Sequence, residues 1–193
     1  MKPTDSQAAL SHRLMRAIRE YQNAGDIMDE AMTGLLGINR TDGRCLDIID
    51  LHGTLTAGEL ASESGLTTGT VTAVVDRLEK AGYVRRRPDP DDRRKVVIEA
   101  TEAARQLGAL IYDDVGRLGR ALMGRMTAEQ MHTVIRFLEV GNDMSRELAA
   151  LLARHVPTGP ASAAERLQRA RAFHREQKAM VRKLEAAYEG GEK

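Results

Sequence analysis

Aromatic side chains are scarce in this chain of 193 residues, which has no Trp, two Phe and four Tyr. A monomeric core built without them would be thin. The remaining apolar residues are mostly Leu, Met, Ala, Ile and Val, and they recur at helical spacing. This composition predicts long helices that bury their apolar faces against a partner chain. Because the net charge is only +1, binding to nucleic acid would depend on local clusters of basic residues.

Cysteine and long apolar runs are nearly absent as well. The single cysteine, Cys45, rules out an intramolecular disulfide framework and fits a reducing compartment. No apolar run approaches the roughly 20 residues that span a bilayer, and the first ten residues lack the apolar core of a signal peptide. We therefore expect a soluble, cytoplasmic protein.

Motifs for catalysis and cofactor binding are missing too. The sequence has no Cys/His spacing typical of zinc sites, no Gly-rich phosphate loop, and no Ser–His–Asp or Cys–His pairing with a structural context. Its five histidines, at positions 12, 52, 132, 155 and 174, are isolated. We expect no enzyme activity, no cofactor and no metal site.

The pattern that points to a task lies between Thr56 and Lys95. A Thr-x-x-Glu capping box at Thr56 opens a short helix that ends at Gly65. Thr67 then caps a second helix whose buried face consists of Val71, Val74, Val75 and Leu78. Two strands, residues 83–87 and 96–100, flank a Pro/Asp turn. This order predicts a winged helix-turn-helix with a two-stranded wing.

The exposed side of the second helix is small and polar, as a helix that enters a major groove requires. Its Thr hydroxyls could meet base edges or phosphates, and Ala73 could touch a thymine methyl. The alternative is that the threonines only cap and solvate the helix, which we accept for Thr67. The wing is rich in arginine, which suits phosphate and minor-groove contacts, although a solvated charged hairpin remains the alternative. The predicted DNA-binding residues are Thr68, Gly69, Thr70, Thr72, Ala73, Arg77, Arg85, Arg86, Arg93 and Arg94. Asp92 is predicted to hold Arg94 in place by a charge-assisted pair and not to touch DNA.

Long helical patterns flank this unit. A first helix of about thirty residues carries apolar residues at alternating spacings of three and four, which favours dimerisation over an ordinary core helix. Thr41 and Asp42 can cap the next helix, in which Cys45 is more typical of a core residue than of a redox sensor. A last amphipathic helix begins at a capping box of Ser162 and Glu165. It could dock on the dimer, which we favour, contact DNA through its arginines, or be partly free.

The fold class predicted is therefore mainly α (α+β). Residues 1–40 would form an N-terminal dimerisation helix and residues 41–101 the winged helix-turn-helix. Residues 102–155 would form C-terminal dimerisation helices, and residues 156–193 a linker with an extra C-terminal helix.

Three segments carry a family resemblance: residues 66–72 (LTTGTVT), 75–84 (VDRLEKAGYV) and 89–94 (DPDDRR). They resemble the MarR family of bacterial transcription regulators, with a match that covers residues 41–101. The resemblance implies a homodimer on a pseudo-palindromic operator of double-stranded DNA, with its two recognition helices in successive major grooves about 34 Å apart. It also implies that Arg94 reaches the minor groove, and that Arg77 contacts the DNA backbone or braces the wing.

Many members of that family respond to a small aromatic or lipophilic ligand between the dimerisation helices and the winged domain. For such a cleft we name His12, Arg16, His52, Tyr112 and Arg117, which come from helices that should meet there. The chain departs from the family at Ala73, where a basic residue is frequent, and in its helix beyond residue 157. Cys45 also lies outside the first helix, which disfavours oxidant sensing.

The function predicted is a homodimeric DNA-binding transcriptional regulator, taken as a repressor, that a small aromatic or lipophilic ligand releases from its operator. The alternative is a winged-helix protein-interaction module without a DNA target.

Overall fold

The computed structural model describes residues 6–189, with side chains to residue 186. In chain order its elements are α1 (Gln7–Leu36), α2 (Arg40–His52), β1 (Thr54–Thr56), α3 (Ala57–Ser64), α4 (Thr68–Lys80), β2 (Val84–Pro88), β3 (Val96–Ala100), α5 (Glu102–Met123), α6 (Ala128–His155) and α7 (Ala163–Glu189). The chain forms two compact units, one up to Gly116 and one from Arg117 onward. Helix α5 begins in the first unit and ends in the second.

The ends of the first two helices follow from their capping residues. Helix α1 has the predicted length of 30 residues and ends at Gly37, whose φ of +67° is the left-handed conformation that glycine adopts readily. Helix α2 is capped by Asn39, whose side chain accepts a hydrogen bond from the Asp42 amide at 2.9 Å. The prediction that Thr41 or Asp42 caps this helix is therefore wrong. Because the helix starts earlier, the Asp42 carboxylate points inward and is buried.

The sheet is antiparallel with the strand order β1-β3-β2. Strands β2 and β3 form the two-stranded wing that the sequence predicts, which confirms the fold class. Strand β1 was not predicted, since three residues are too short to show an alternating pattern. It pairs Leu55 with Ile98 and leads directly into α3 through the predicted capping box of Thr56 and Glu59. The base of the wing is thus fixed to the first helix of the helix-turn-helix.

The core of the first unit lies among α2, α3, α4 and the sheet. Recognition helix α4 buries the predicted face of Val71, Val74, Val75 and Leu78, none of them more than 1% exposed. Cys45 is fully buried in the same cluster, which confirms its prediction as a core residue. Burial also raises the pKa of the Cys45 thiol, so little of it is the reactive thiolate at neutral pH.

In the second unit, α6 packs against α7. The ring of His155 meets that of Phe173 edge-on, with centroids 6.0 Å apart, and Arg154 pairs with Glu176 at 3.1 Å. The predicted capping box of Ser162 and Glu165 starts α7. The last helix therefore docks on α6 of its own chain; docking on a dimer, which the sequence favours, stays a prediction.

Across residues 6–189, none of the helices combines the length and the hydropathy that crossing a membrane requires.

Candidate nucleic-acid interface

The exposed first turns of α4 carry only small side chains. Thr68, Gly69, Thr72 and Ala73 are exposed, whereas the opposite face of the helix is locked into the core. No atom lies within 4 Å of where a Cβ of Gly69 would stand. A ligand could therefore come close to the helix backbone at Gly69 without displacing any part of the protein. The pattern of small side chains on a rigidly held helix start is what entry into a groove needs.

Most threonine hydroxyls on this surface already have partners within the helix. The side chain of Thr67 accepts a hydrogen bond from the Thr70 amide at 3.2 Å, and its hydroxyl lies 2.8 Å from that of Thr70. Thr72 donates to the carbonyl of Thr68 at 3.0 Å. These bonds fix the rotamers and leave oxygen lone pairs and methyl groups exposed. The surface would then offer acceptors and thymine-methyl contacts more readily than donors.

Arg77 lies on α4 but points to α2. Its Nε donates to Oδ2 of Asp42 at 2.9 Å and its Nη2 to Oδ1, a bidentate pair. The Asp42 carboxylate is only 3% exposed and also accepts from the side chain of Asn39 at 2.9 Å. The hydrogen bond to Asp42 raises the pKa of Arg77. The expectation that Arg77 braces the wing is therefore wrong, since it ties the recognition helix to α2; contact with DNA stays a prediction.

The brace of the wing is Arg86. Its guanidinium donates to Glu79 through Nη1 and to Asp76 through Nη2, the latter at 2.6 Å. Its backbone amide adds a bond of 3.1 Å to Glu79. Both acids belong to α4, so this single arginine clamps β2 against the recognition helix. Arg86 is among the DNA-binding residues predicted from the sequence, and the structure places it mainly in this clamp.

The other two arginines of β2 share one carboxylate. Arg85 Nε and Arg87 Nε each donate to Glu99 of β3 at 2.7 Å. The pairing follows from the register, in which Arg85 faces Glu99 directly and Arg87 lies on the same face two residues on. Hydrogen bonds from Arg87 and Arg85 lower the pKa of Glu99. Sequence analysis missed Glu99, although an acid alternating opposite two arginines was a signal for it.

The tip of the wing is a preformed turn. Asp89 accepts hydrogen bonds from the amides of Asp91 and Asp92 at 2.8 and 3.1 Å, and these bonds lower the pKa of Asp89. Asp92 in turn accepts from the amide and the Nε of Arg94 at 3.1 and 3.3 Å, the pairing predicted from the sequence. The Arg94 side chain remains 93% exposed. Its neighbour Arg93 is exposed and makes no hydrogen bond or ion pair with any residue that the structure describes.

The wing therefore contains two kinds of arginine. Those of β2 are held by acids of the same domain, while those at the tip point into solvent. The Arg94 side chain at the tip is 93% exposed, compared with 61%, 32% and 34% for Arg85, Arg86 and Arg87 on the strand.

A cleft of about 950 Å³ lies in the first unit, lined by α1, α2 and the start of α5. Of the five residues proposed for a ligand, Tyr112 lines it. His12 and Arg16 line a shallow groove on α1 instead, and His52 is exposed at the end of α2. The prediction that these side chains meet in the cleft is wrong for these three. Arg117 belongs to the second unit.

The cleft has an acidic wall that the sequence analysis did not anticipate. Burial raises the pKa of Asp47, and the nearby carboxylates of Asp29 and Asp50 raise it further. Burial raises the pKa of Tyr112, and the carboxylates of Asp47 and Asp29 raise it further. The arginines of the cleft bind other groups of the protein; Arg40, for example, pairs with Asp26 at 2.7 Å. The rest of the lining is largely apolar, with Met32, Leu36, Leu46, Leu107 and Ile111.

Comparisons with known proteins agree with this architecture. A family model described as the MarR family matches residues 38–96. The chain is 34% identical over 147 residues to YcgE of Bacillus subtilis strain 168, an uncharacterized HTH-type transcriptional regulator; the match covers 76% of this chain and 96% of YcgE. It is 29% identical over 87 residues to the HTH-type transcriptional repressor NicR of Pseudomonas putida KT2440, covering 45% of this chain and 55% of NicR.

Among solved structures, the chain is similar in fold to Streptococcus pneumoniae FabT, whose crystal structure is in complex with DNA. The TM-score is 0.54 and the sequence identity 21%, over 72% of this chain and 99% of FabT. The winged helix-turn-helix, the family match and the extended similarity to YcgE lead to one conclusion: the chain belongs to the MarR family of DNA-binding helix-turn-helix transcriptional regulators, which are not enzymes.

Proposed function

We propose that the chain is a homodimeric repressor that inserts α4 into the major groove of a pseudo-palindromic operator and places the wing tip on the adjacent minor groove. The observation that carries the proposal is the exposed start of α4 together with the two exposed arginines of the wing tip: Arg93, and Arg94, whose side chain is 93% exposed although it pairs with Asp92. A groove reader needs a well-held helix start and cations that phosphates can reach.

The test is equilibrium binding to the promoter region next to the chain's own gene, measured by fluorescence anisotropy at several salt concentrations. Arg94→Ala should weaken binding by roughly five- to 150-fold, as expected for a groove contact. Arg19→Ala, which removes an exposed arginine from α1, is the matched control and should have little effect. Equal affinities for the wild type and Arg94→Ala would remove that arginine from the interface.

Dimerisation is supported by apolar surface that one chain leaves exposed. On α5, Val115, Leu118 and Leu122 follow helical spacing and are 55–61% exposed. On α6 the same holds for Met131, Val134, Ile135 and Leu138, at 37–59%. Stripes of this length are unusual on a monomer and are typical of oligomer interfaces. Sedimentation equilibrium should show a dimer, and Leu118→Glu should shift it toward monomer.

That the protein represses transcription, and does not activate it, is supported by the description of NicR as a repressor. A reporter gene driven by the chain's own promoter tests it, since expression should rise when the gene for this protein is deleted. A fall in expression would indicate an activator.

The cleft beside α2 supports a small aromatic or lipophilic effector. Its apolar lining would hold such a molecule, and the acidic wall of Asp29, Asp47 and Asp50 disfavours an effector with a net negative charge. A neutral or cationic aromatic probe at about 100 times its Kd should stabilise the protein by about 2.7 kcal/mol in a thermal-shift assay. Tyr112→Ala should reduce that shift, whereas anionic probes should give none.

The alternative is a winged-helix interaction module without a DNA target. The same binding experiment separates the two, because such a module would bind no duplex even at low salt.

A further inference from the structure

The strongest charged feature outside the winged domain lies on α7. Arg171, Arg175, Lys178 and Arg182 are all exposed and follow one another at steps of four, three and four residues. Because successive residues of an α-helix are about 100° apart, these steps return to the same side within a band roughly 60° wide. The helix therefore presents a continuous stripe of four cations, which we call the α7 stripe.

The opposite side of α7 is already occupied. Phe173, Gln177, Met180 and Leu184 repeat with the same steps, about 200° around the helix from the stripe, and all four are partly buried. This side faces α6, as the ring contact of Phe173 with His155 shows. Docking on α6 thus fixes the direction of the stripe and holds it out in solvent.

The α7 stripe is not neutralised within the protein. None of its four side chains has a hydrogen bond or ion pair with another residue in the part of the chain that the structure describes. Among the acids of α7 whose side chains are described, Glu165 caps the helix and Glu176 binds Arg154. Glu185 lies beyond Arg182 at the end of the same side and forms no ion pair with the stripe. This contrasts with β2, where every arginine has an acid partner.

From this arrangement we propose that the α7 stripe binds phosphates of the DNA duplex and adds sequence-independent affinity to that of the winged domain. The proposal rests on the proposed function, in which the chain binds an operator. The stripe is about 16 Å long at 1.5 Å per residue, and a duplex carries about ten phosphates over that length. Four cations that form no ion pair with any described residue match such a surface, while their side chains offer no pattern that would read bases.

Two other polyanions fit less well. Binding to a lipid surface requires a continuous exposed apolar face next to the cations. Phe173, Met180 and Leu184 face α6, and the exposed Leu167 and Val181 lie fourteen residues apart, so they form no such face. Single-stranded nucleic acid is held by aromatic side chains that stack on the bases, and between residues 163 and 186 the side of the stripe has none. The chemistry of the surface therefore favours a duplex.

The experiment measures how affinity depends on salt for the full-length protein on two duplexes, the operator and a scrambled sequence of equal length. The test variant replaces all four stripe residues: Arg171→Gln, Arg175→Gln, Lys178→Gln and Arg182→Gln. Glutamine has nearly the same helix propensity as these residues, and circular dichroism checks that α7 remains folded. The slope of log K against log salt should become shallower by up to about 3.6 for each bound chain, which is four phosphates at 0.9 each. Affinity should fall by the same factor on both duplexes.

Matched controls separate the stripe from net charge. Replacing four exposed arginines elsewhere, Arg19, Arg120, Arg125 and Arg136, by Gln changes the charge equally. These positions belong to the proposed dimerisation region, so sedimentation equilibrium first checks that the control remains a dimer, and its slope should then be nearly unchanged. Lysine at the three stripe arginines should retain most of the affinity, because a phosphate contact needs charge and not the guanidinium shape. Glu185→Gln should tighten binding, since it removes the acid beside the stripe.

The outcomes distinguish this proposal from the proposed function. If the slope of the stripe variant is unchanged, or if the control loses as much slope as the stripe variant, the role of the stripe is overturned. The proposed function as a regulator is not affected by either result. If the stripe variant loses nonspecific binding and the wild type shows no preference for the operator, the role of the stripe is supported and the proposed regulator is contradicted. Absence of wild-type binding to either duplex at low salt overturns both. Binding to phosphatidylglycerol vesicles that only the stripe variant loses, with DNA affinity intact, assigns the surface to membranes and overturns the proposal.

Discussion

Gly43 sets how closely α1 and α2 approach each other, and its replacement by alanine gives the sharpest test of the packing around the cleft. A Cβ at this position would overlap the Cγ2 methyl of Thr33 on α1. Thr33 cannot easily turn away. Its hydroxyl donates to the carbonyl of Asp29 at 2.9 Å, its side chain is β-branched, and the residue is only 7% exposed. Both residues line the cleft.

The magnitude follows from two opposing effects. Alanine in place of a helical glycine stabilises a helix by about 1 kcal/mol, whereas an extra methyl group forced into a packed site costs about 1–3 kcal/mol. Gly43→Ala should therefore lower the free energy of unfolding by about 1 kcal/mol. In the Thr33→Ser background the methyl is gone and the hydroxyl bond is kept. There the same change should raise the free energy of unfolding by about 1 kcal/mol, which gives a coupling of about 2 kcal/mol.

Urea unfolding measures the free energy of unfolding of the wild type, Gly43→Ala, Thr33→Ser and the double variant. The protein concentration is kept fixed because the stability of a dimer depends on it. Gly108→Ala is the control. Gly108 is also a helical glycine lining the cleft, but nothing lies within 4 Å of its Cβ position, so alanine there should only stabilise. A coupling near zero between Gly43 and Thr33 would refute the close approach of α1 and α2.

Three further predictions concern buried groups of the winged domain. Arg77→Ala should destabilise the fold more than Asp42→Asn in urea unfolding, because it leaves a buried carboxylate without its cation, whereas the half-exposed Arg77 can be solvated by water; the reverse order would contradict this account. The thiol of Cys45 should react with a disulfide reagent only on unfolding, since it is fully buried and burial raises its pKa; rapid labelling of the native protein would refute it. Arg87 and Arg85 lower the pKa of Glu99, so its contribution to stability is complete above the usual Glu pKa and is lost as pH falls through the lowered pKa of the folded state. Glu99→Gln should therefore flatten the acid limb of a stability–pH curve, and an unchanged limb would show that the wing pairs do not contribute.

Local signals in the sequence were enough for most of the first unit. Thr56 with Glu59 and the cap at Thr67 mark helix starts by hydrogen bonds that span only three residues, and the buried face of α4 repeats at helical spacing. Strand β1 was out of reach, because its three residues depend on pairing with β3, more than forty positions away. The cap of α2 was misplaced by two or three residues, since Asn39, Thr41 and Asp42 are all good capping residues and only the structure shows which one is used.

The ligand residues failed for a different reason. His12, Arg16 and His52 are predicted to bind a ligand because their helices should meet at the cleft. Helical spacing, however, does not define which face of α1 or α2 turns toward a cleft that forms between distant segments. The acidic wall of Asp29, Asp47 and Asp50 arises from two helices, and no local pattern joins its members. The small aromatic or lipophilic effector stays a prediction, and the acidic wall adds to it the expectation of a molecule without a net negative charge.

The arginines show most clearly why composition is a poor guide to an interface. The sequence concentrates basic residues in the wing, yet the three arginines of β2 are bound by Glu99, Glu79 and Asp76. A bound arginine can contact a phosphate only by giving up part of an existing pair, so its net contribution to affinity is small. Arg93 and the α7 stripe form no ion pair with any described residue, and Arg94 meets Asp92 only through a 3.3 Å contact while 93% of its side chain stays exposed. In a protein whose net charge is only +1, we therefore expect affinity for DNA to depend most on the exposed arginines of the wing tip and on the α7 stripe, two groups that can be removed separately.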